Sequence, residues 1–232
     1  MSAARDDVPE TARHEVKFAA REAEVYRVLN WLQLHPAGFR VAHPDRQINN
    51  VYFDTHDYAA LAEKFAGTSA RHKLRYRWYG EQLLPAAGTL ELKCRQNAFG
   101  WKLNHYVMTA PQSTASWPGF VRELRLGATP AMRRWLDEHP VVVMINRYQR
   151  RYFESADGRV RATIDTGLAT WDQRFGPRPN VDRPAPLPSS VVLELKFGRH
   201  DRDFAAECMR NVPIRVSAHS KYALAVEAIG AR

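Results

Sequence analysis

Polar and apolar residues alternate along five short stretches of this chain. They are His14-Glu15-Val16-Lys17-Phe18, Lys73-Leu74-Arg75-Tyr76-Arg77-Trp78, Leu90-Glu91-Leu92-Lys93-Cys94-Arg95, Arg159-Val160-Arg161-Ala162-Thr163-Ile164-Asp165 and Leu193-Glu194-Leu195-Lys196-Phe197. Side chains on a strand point alternately to its two faces. Glu15 therefore shares a face with Lys17, Arg75 with Arg77, Glu91 with Lys93, Arg161 with Asp165, and Glu194 with Lys196. The opposite faces carry Leu, Val, Ile, Tyr and Trp, suited to a layer under helices. One such strand reads as a solvated surface with cross-strand ion pairs. Five of them predict strands that line one shared polar cavity.

The remaining pattern places the other elements. Val25, Leu29 and Leu32 share one face of a helix over Glu22–Leu34. A strand is expected at 47–54, a short helix from Asp57 to Lys64 ending at Gly67, and strands at 71–79 and 88–96. Asn97 to Gly100 reads as a hairpin turn into 101–109. Helices are expected at Pro118–Leu126 and Pro130–Glu138, the second entered through Thr129-Pro130. Strands follow at 141–154 and 159–166, with 169–175 a further candidate. The proline-rich segment 176–188 reads as a surface loop, 190–198 as the last strand, and Asp201–Asn211 and Ser220–Ala231 as closing helices. Residues 1–12 read as a flexible tail and 13–232 as one domain. The expected class is α+β: an eight-stranded antiparallel β-barrel tunnel with peripheral helices.

Composition narrows the function. At 232 residues with 45% hydrophobic content, the chain has material for a real core, which argues against disorder. No apolar run approaches the ~20 residues that span a bilayer, and Met1–Thr11 has no signal-peptide core. Two cysteines are too few for a disulfide framework or a cysteine zinc site. A cytoplasmic location is expected. The net charge of +9 points to anionic partners. The cations sit singly at period two inside strands, so the charge is expected within the fold, and nucleic acid is not the expected partner. His14, His105 and His219 form no ligand-spaced pair, and Trp78, Trp101, Trp171 and Cys94 read as packing residues.

A cation-lined interior needs a reason, because two like charges at about 5 Å repel by roughly 3 kcal/mol at an effective dielectric near 20. Glu15, Glu91, Asp165 and Glu194 offset only part of the charge of Arg75, Arg77, Lys93, Arg150, Arg161 and Lys196. A phosphate chain would remove the rest, gripped by guanidinium forks and lysine point charges. Carboxylates among those cations suit Mg²⁺ or Mn²⁺, with phosphate oxygens completing the shell.

The ordered set resembles a known family. Its landmarks are Glu15-Val-Lys17, Asn50-Val-Tyr-Phe-Asp-Thr55, Leu74-Arg-Tyr-Arg-Trp-Tyr-Gly80 and Leu90-Glu-Leu-Lys93. They continue with Tyr148-Gln-Arg-Arg-Tyr-Phe153, Val160 to Thr166, Leu193-Glu-Leu-Lys196 and Ser220-Lys-Tyr222. Together they resemble the VTC domain, the polyphosphate polymerase branch of the triphosphate tunnel metalloenzymes (the CYTH-like superfamily). The resemblance implies a metal-dependent phosphotransferase that moves the γ-phosphate of ATP, or another triphosphate, onto inorganic polyphosphate.

By resemblance, Lys17, Arg75, Arg77, Lys93, Lys102, Arg150, Arg161, Lys196 and Lys221 hold the phosphates. Glu194, Lys196 and Arg161 are the catalytic candidates, and Glu194, Glu15 and Glu91 the metal candidates for Mn²⁺ or Mg²⁺. The family also implies that a membrane protein can be a partner. The chain departs from its relatives at Arg13, where the wider superfamily has Glu. It departs again at Leu103 and Asn104, and at Ala218, where relatives are basic. A triphosphate hydrolase on the same scaffold and a non-catalytic polyphosphate-binding module are the alternatives.

Overall fold

A computed structural model describes residues 8–107, 111 and 114–230. Ten strands form one antiparallel sheet: β1 (Arg13–Arg21), β2 (Arg40–Asp54), β3 (Ala70–Tyr79), β4 (Gly88–Gln96), β5 (Phe99–Val107), β6 (Val141–Glu154), β7 (Val160–Asp172), β8 (Pro184–Ala185), β9 (Ser190–Phe197) and β10 (Arg215–Val216). Six α-helices flank it: α1 (Val25–Gln33), α2 (Ala59–Phe65), α3 (Trp117–Leu126), α4 (Pro130–Glu138), α5 (Arg202–Cys208) and α6 (Lys221–Gly230).

The pairings return to their start. β1 pairs β5, which pairs β4, then β3, β2, β6 and β7 in turn, while β9 pairs both β7 and β1. The β1–β5 seam is short, Arg13 opposite Gly100 and His14 opposite Phe99, whereas β1–β9 runs through eight residue pairs. Eight strands thus share one inward face. β8 and β10, two residues each, are the additions beyond the eight expected from the sequence.

Period-two alternation decides which side chains go outward into apolar layers. Leu74, Tyr76, Trp78, Leu90, Leu92 and Cys94 pack with Trp117, Phe120 and Leu124 of α3 and Met132, Trp135 and Leu136 of α4. Leu193, Leu195, Phe197, Val160, Ala162 and Ile164 pack with Val28 and Leu32 of α1 and Ala205 of α5. Ser116 and Thr129 cap α3 and α4, their hydroxyls accepting from Gly119 N and Met132 N.

Several boundaries differ from the sequence reading, each for a local reason. β2 starts at Arg40, because irregular pairing between His43 and Arg46 absorbs Pro44-Asp45 and hides the alternation. The two expected strands around 159–175 are one strand, β7, bent at Gly167 (φ +61°). Gly100 is part of β5, where it runs beside β1, and the turn proper is carried by Asn97 at φ 54°. The first and fifth expected helices each begin with a 3₁₀ turn, Glu22–Glu24 and Arg199–Asp201. Of the residues expected in a loose tail, Val8 packs on the core, Ala12 is buried, and Arg199 donates to the carbonyls of Val8 and Pro9. Residues 1–7, 108–109 of the fifth strand and Ala231 lie outside the described residues.

The last helix is fixed by a buried polar latch. Tyr222 donates its hydroxyl to Asp54 Oδ2, while Asp54 Oδ1 accepts from Thr55 N and Ala60 N. Burial, then Asp54, pushes the Tyr222 phenol far above its ordinary pKa. Replacing it with Phe leaves a buried carboxylate oxygen without its donor. Tyr222→Phe is expected to lower unfolding stability by about 1–3 kcal/mol, read as a lower urea midpoint at pH 7. An unchanged midpoint would show that the latch adds nothing.

Candidate functional site

The inward faces enclose a cavity of about 810 Å³. Fourteen Lys and Arg side chains line it against two carboxylates, Glu15 and Glu194. Among them are the eight residues other than Arg161 that the sequence names for phosphate binding: Lys17, Arg75, Arg77, Lys93, Lys102, Arg150, Lys196 and Lys221. Arg161 lines it as well, as the register partner of Lys196. The other five cations, Arg13, Lys64, Arg71, Lys73 and Arg95, were not named as phosphate-binding from the sequence. Arg71 and Lys73 continue the Arg75/Arg77 alternation backwards along β3, so the signal was present. Lys64 arrives on α2, and no strand periodicity could find it.

Carboxylates divide this charge into three groups. Glu15 and Glu194 sit together among lysines: Glu15 meets Lys17 at 2.8 Å, Lys93 at 3.2 Å and Lys196 at 3.8 Å, and Glu194 pairs with Lys196 and reaches Lys17 at 3.9 Å. Glu91 lies against Arg75, Nε at 2.7 Å, with Lys102 at 3.3 Å and Arg77 at 3.9 Å. Asp165 takes both Arg150 Nε (2.5 Å) and Nη2 (2.6 Å), with Lys221 at 2.5 Å on Oδ2. Tyrosines fill the gaps. Tyr52 accepts from Arg75 Nη1 at 3.2 Å and Tyr148 from Arg77 Nη2 at 3.1 Å, and Asn50 accepts Arg77 Nε at 2.9 Å.

The segment leading into α6 closes over one side. Residues 216–222 border the cavity. Lys17 donates to the His219 carbonyl at 3.3 Å, and Lys73 donates to Ser220 Oγ at 3.1 Å. Burial, then Lys221 and Lys17, pushes the His219 imidazole down to about 4.

Protonation follows from this crowding. Burial and the neighbouring Glu194 both push the Glu15 carboxyl upward. Lys93, Lys17 and Lys196 outweigh them and hold it well below the ordinary carboxylate range. Burial likewise opposes ionisation of Glu194, and Lys196, Lys17, Arg150 and Lys93 overcome it. The lysines that lack enough counter-charge go the other way. Burial, then Lys93 and Lys17, lowers Lys73 to about 7. Burial, then Arg75, lowers Lys102 to about 7, although Glu91 opposes. Lys93 falls to about 8, chiefly through burial. Part of the wall is therefore short of its full charge near neutral pH.

Among the described residues, no three His, Cys, Asp or Glu side chains form a ready-made metal cage. Glu15 and Glu194 nevertheless fit a hard divalent cation. They are ionised neighbours at the cavity wall, and Mg²⁺ is commonly held by one or two carboxylates plus substrate phosphates. Glu91 does not line the cavity, and Arg75 and Lys102 occupy its two oxygens. Its position suits holding cations in place.

The family model of the VTC domain matches residues 12–115 and 128–229. No curated protein matches the chain. Among solved structures, an adenylyl cyclase candidate from Hippeastrum, described as having a dominant triphosphatase activity, aligns with a TM-score of 0.53 at 16% identity, over 91% of this chain and 93% of that one. The PH1819 protein of Pyrococcus horikoshii aligns at 0.47 and 11% identity, over 93% and 98%. An adenylate cyclase candidate from Vibrio parahaemolyticus aligns at 0.43 and 13%, over 86% and 84%.

The lowered lysines make a testable demand. As pH rises through 7 to 8, Lys73, Lys102 and Lys93 lose charge, and a bound polyanion pulls their pKa values back up. Inorganic triphosphate is expected to bind more weakly at pH 8.5 than at pH 6.5 and to take up protons on binding near pH 7.5. Calorimetry in two buffers of different ionisation enthalpy reads the uptake. Equal heats in both, with pH-independent affinity, would mean that these lysines are fully charged beforehand.

Proposed function

Because the chain belongs to the VTC domain family, we propose that its strand circuit acts as a tunnel-shaped barrel in which the γ-phosphoryl group of a nucleoside triphosphate is transferred to a polyphosphate chain. The observation that carries this is the length of the cationic track. Arg71, Lys73, Arg75 and Arg77 all line the cavity from alternate positions of β3. At a strand's rise, four such positions span about 20 Å, longer than a single triphosphate. A chain of phosphates uses the whole row.

The chemistry asked of the protein is positioning and charge stabilisation. Arg75, Arg77 and Arg150 are held rigid by Glu91, Asn50 and Asp165, so their remaining N–H groups are pre-aimed at phosphoryl oxygens. Lys17, Lys93, Lys102, Lys196 and Lys221 add charge along the path, and Arg161, beside Lys196, faces the same space. We assign Glu194 and Glu15 as the carboxylates that would hold Mn²⁺ or Mg²⁺. The ion, when bound, polarises the transferring phosphoryl group and neutralises its developing charge. Glu194, Lys196 and Arg161 are our candidates for the groups nearest that transfer. The acceptor is the terminal oxygen of the polyphosphate, an anion that needs no base to activate it.

The second reading is hydrolysis of triphosphates, favoured by the triphosphatase activity described for the Hippeastrum protein. It differs only in the acceptor, water in place of phosphate. A membrane-protein partner and a cytoplasmic location remain part of the proposal. Among the described residues no helix is long and apolar enough to cross a membrane.

Incubation with ATP and Mn²⁺ is expected to yield a ladder of phosphate polymers with ADP release; orthophosphate without polymers would move the reading to the hydrolase. Glu194→Gln is expected to lower metal-dependent turnover at least about a hundredfold while polyphosphate still binds; full activity in that variant would remove Glu194 from the metal site. Arg75→Ala with Arg77→Ala is expected to weaken triphosphate binding at least about tenfold, more so at low salt. Untouched affinity would mean that phosphates do not reach β3.

A further inference from the structure

The inward face does not end with the cations. On β2, Tyr52 and Asn50 are followed at the same spacing by Ile48 and Arg46. On β3, Arg75 and Arg77 lead to Tyr79, and on β6, Tyr148 and Arg150 lead to Tyr152. Register joins the three rows. Ile48 is the partner of both Tyr79 and Tyr148, and Arg46 is the partner of Arg150.

At this end the Arg46 guanidinium lies 5.4 Å from the Tyr79 ring centre and 5.7 Å from that of Tyr152. His43 meets Tyr152 edge-on at 5.6 Å. Tyr79 is 47% exposed and Arg46 is exposed, so the rings are reachable from solvent. The cluster is also in electrostatic contact with the cationic wall, since Tyr152 feels both Arg150 and Arg77.

At the other end of β3, by contrast, Arg71 and Lys73 stand with Lys64 and Arg95, a wall of cations.

We propose that the Tyr79–Arg46–Tyr152 cluster is a nucleobase subsite, in which the rings stack the base of a nucleoside triphosphate and the phosphates run inward to Arg77 and Arg150. A nucleotide carries a ring at one end and charge at the other, and this arrangement has the same polarity. The polyphosphate, which has no ring, enters from the end lined by Lys64, Arg71 and Arg95. The γ-phosphoryl group breaks from the β-phosphate bridging oxygen, which leaves on the nucleoside diphosphate. It bonds to the terminal oxygen of the polyphosphate.

The inference rests on the phosphate-binding reading of the cavity, and one titration set separates the two. ATP and inorganic triphosphate are each titrated into the wild type and into Tyr79→Ala combined with Tyr152→Ala. ATP affinity is expected to fall about tenfold in the double variant, and inorganic triphosphate to bind as before. Tyr79→Phe with Tyr152→Phe keeps the rings and is expected to keep ATP affinity, which excludes a fold defect. Equal loss for both ligands, or no loss for ATP, would overturn the subsite. Wild-type protein that binds triphosphate but not ATP would also overturn it while leaving the phosphate cavity standing. Binding of neither ligand would remove both readings together.

Discussion

Like-charge repulsion inside a closed ring of strands is the constraint on which the rest of this structure depends. Among the described residues, fourteen basic side chains border one cavity, and only Glu15, Glu194, Glu91 and Asp165 stand among them as counter-charges. Each carboxylate serves more than one cation, and several cations are further held by tyrosine or asparagine oxygens. Lysines left over respond by giving up part of their charge. Neutralisation is thus partial, and the residual field is available to a ligand. The outward faces make this tolerable, because the same strands bury Leu, Tyr, Trp and Phe under helices.

Rigidity and charge come from the same bonds. Arg75, Arg77 and Arg150 are each gripped by a side chain of a neighbouring strand, so their orientation is set before any phosphate binds. That preorganisation is what makes guanidinium groups effective toward a charge that develops during phosphoryl transfer. The lysines form a softer layer. Those with lowered pKa values have room to take up a proton if anionic charge enters.

Much of this was legible in the sequence because strand alternation is strict. Glu15, Lys17, Arg75, Arg77, Lys93, Lys196 and Glu194 fall on one face through period two alone, and the structure brings them to one cavity. What stayed hidden depended on breaks in that period or on tertiary placement. Pro44-Asp45 masked the first half of β2, and Gly167 divided β7 into two apparent strands. Lys64 comes from a helix, and Arg13 was visible only as a departure from a motif. Glu91 looked equivalent to Glu15 in the pattern. Its neighbours across β3 and β5, Arg75 and Lys102, make it a partner of cations, and strand pairing had to be known to see this.

The central claim is that the unrelieved interior charge exists for a phosphate polyanion, and thermal unfolding tests it most directly. A ligand that binds only the folded state raises Tm in proportion to how far its concentration exceeds Kd. Inorganic triphosphate and short polyphosphate at millimolar concentration are expected to raise Tm by several degrees. Sulfate at matched ionic strength is expected to raise it far less. A Tm that moves equally with sulfate and with triphosphate would mean that the cavity senses ionic strength alone, and the account would fail.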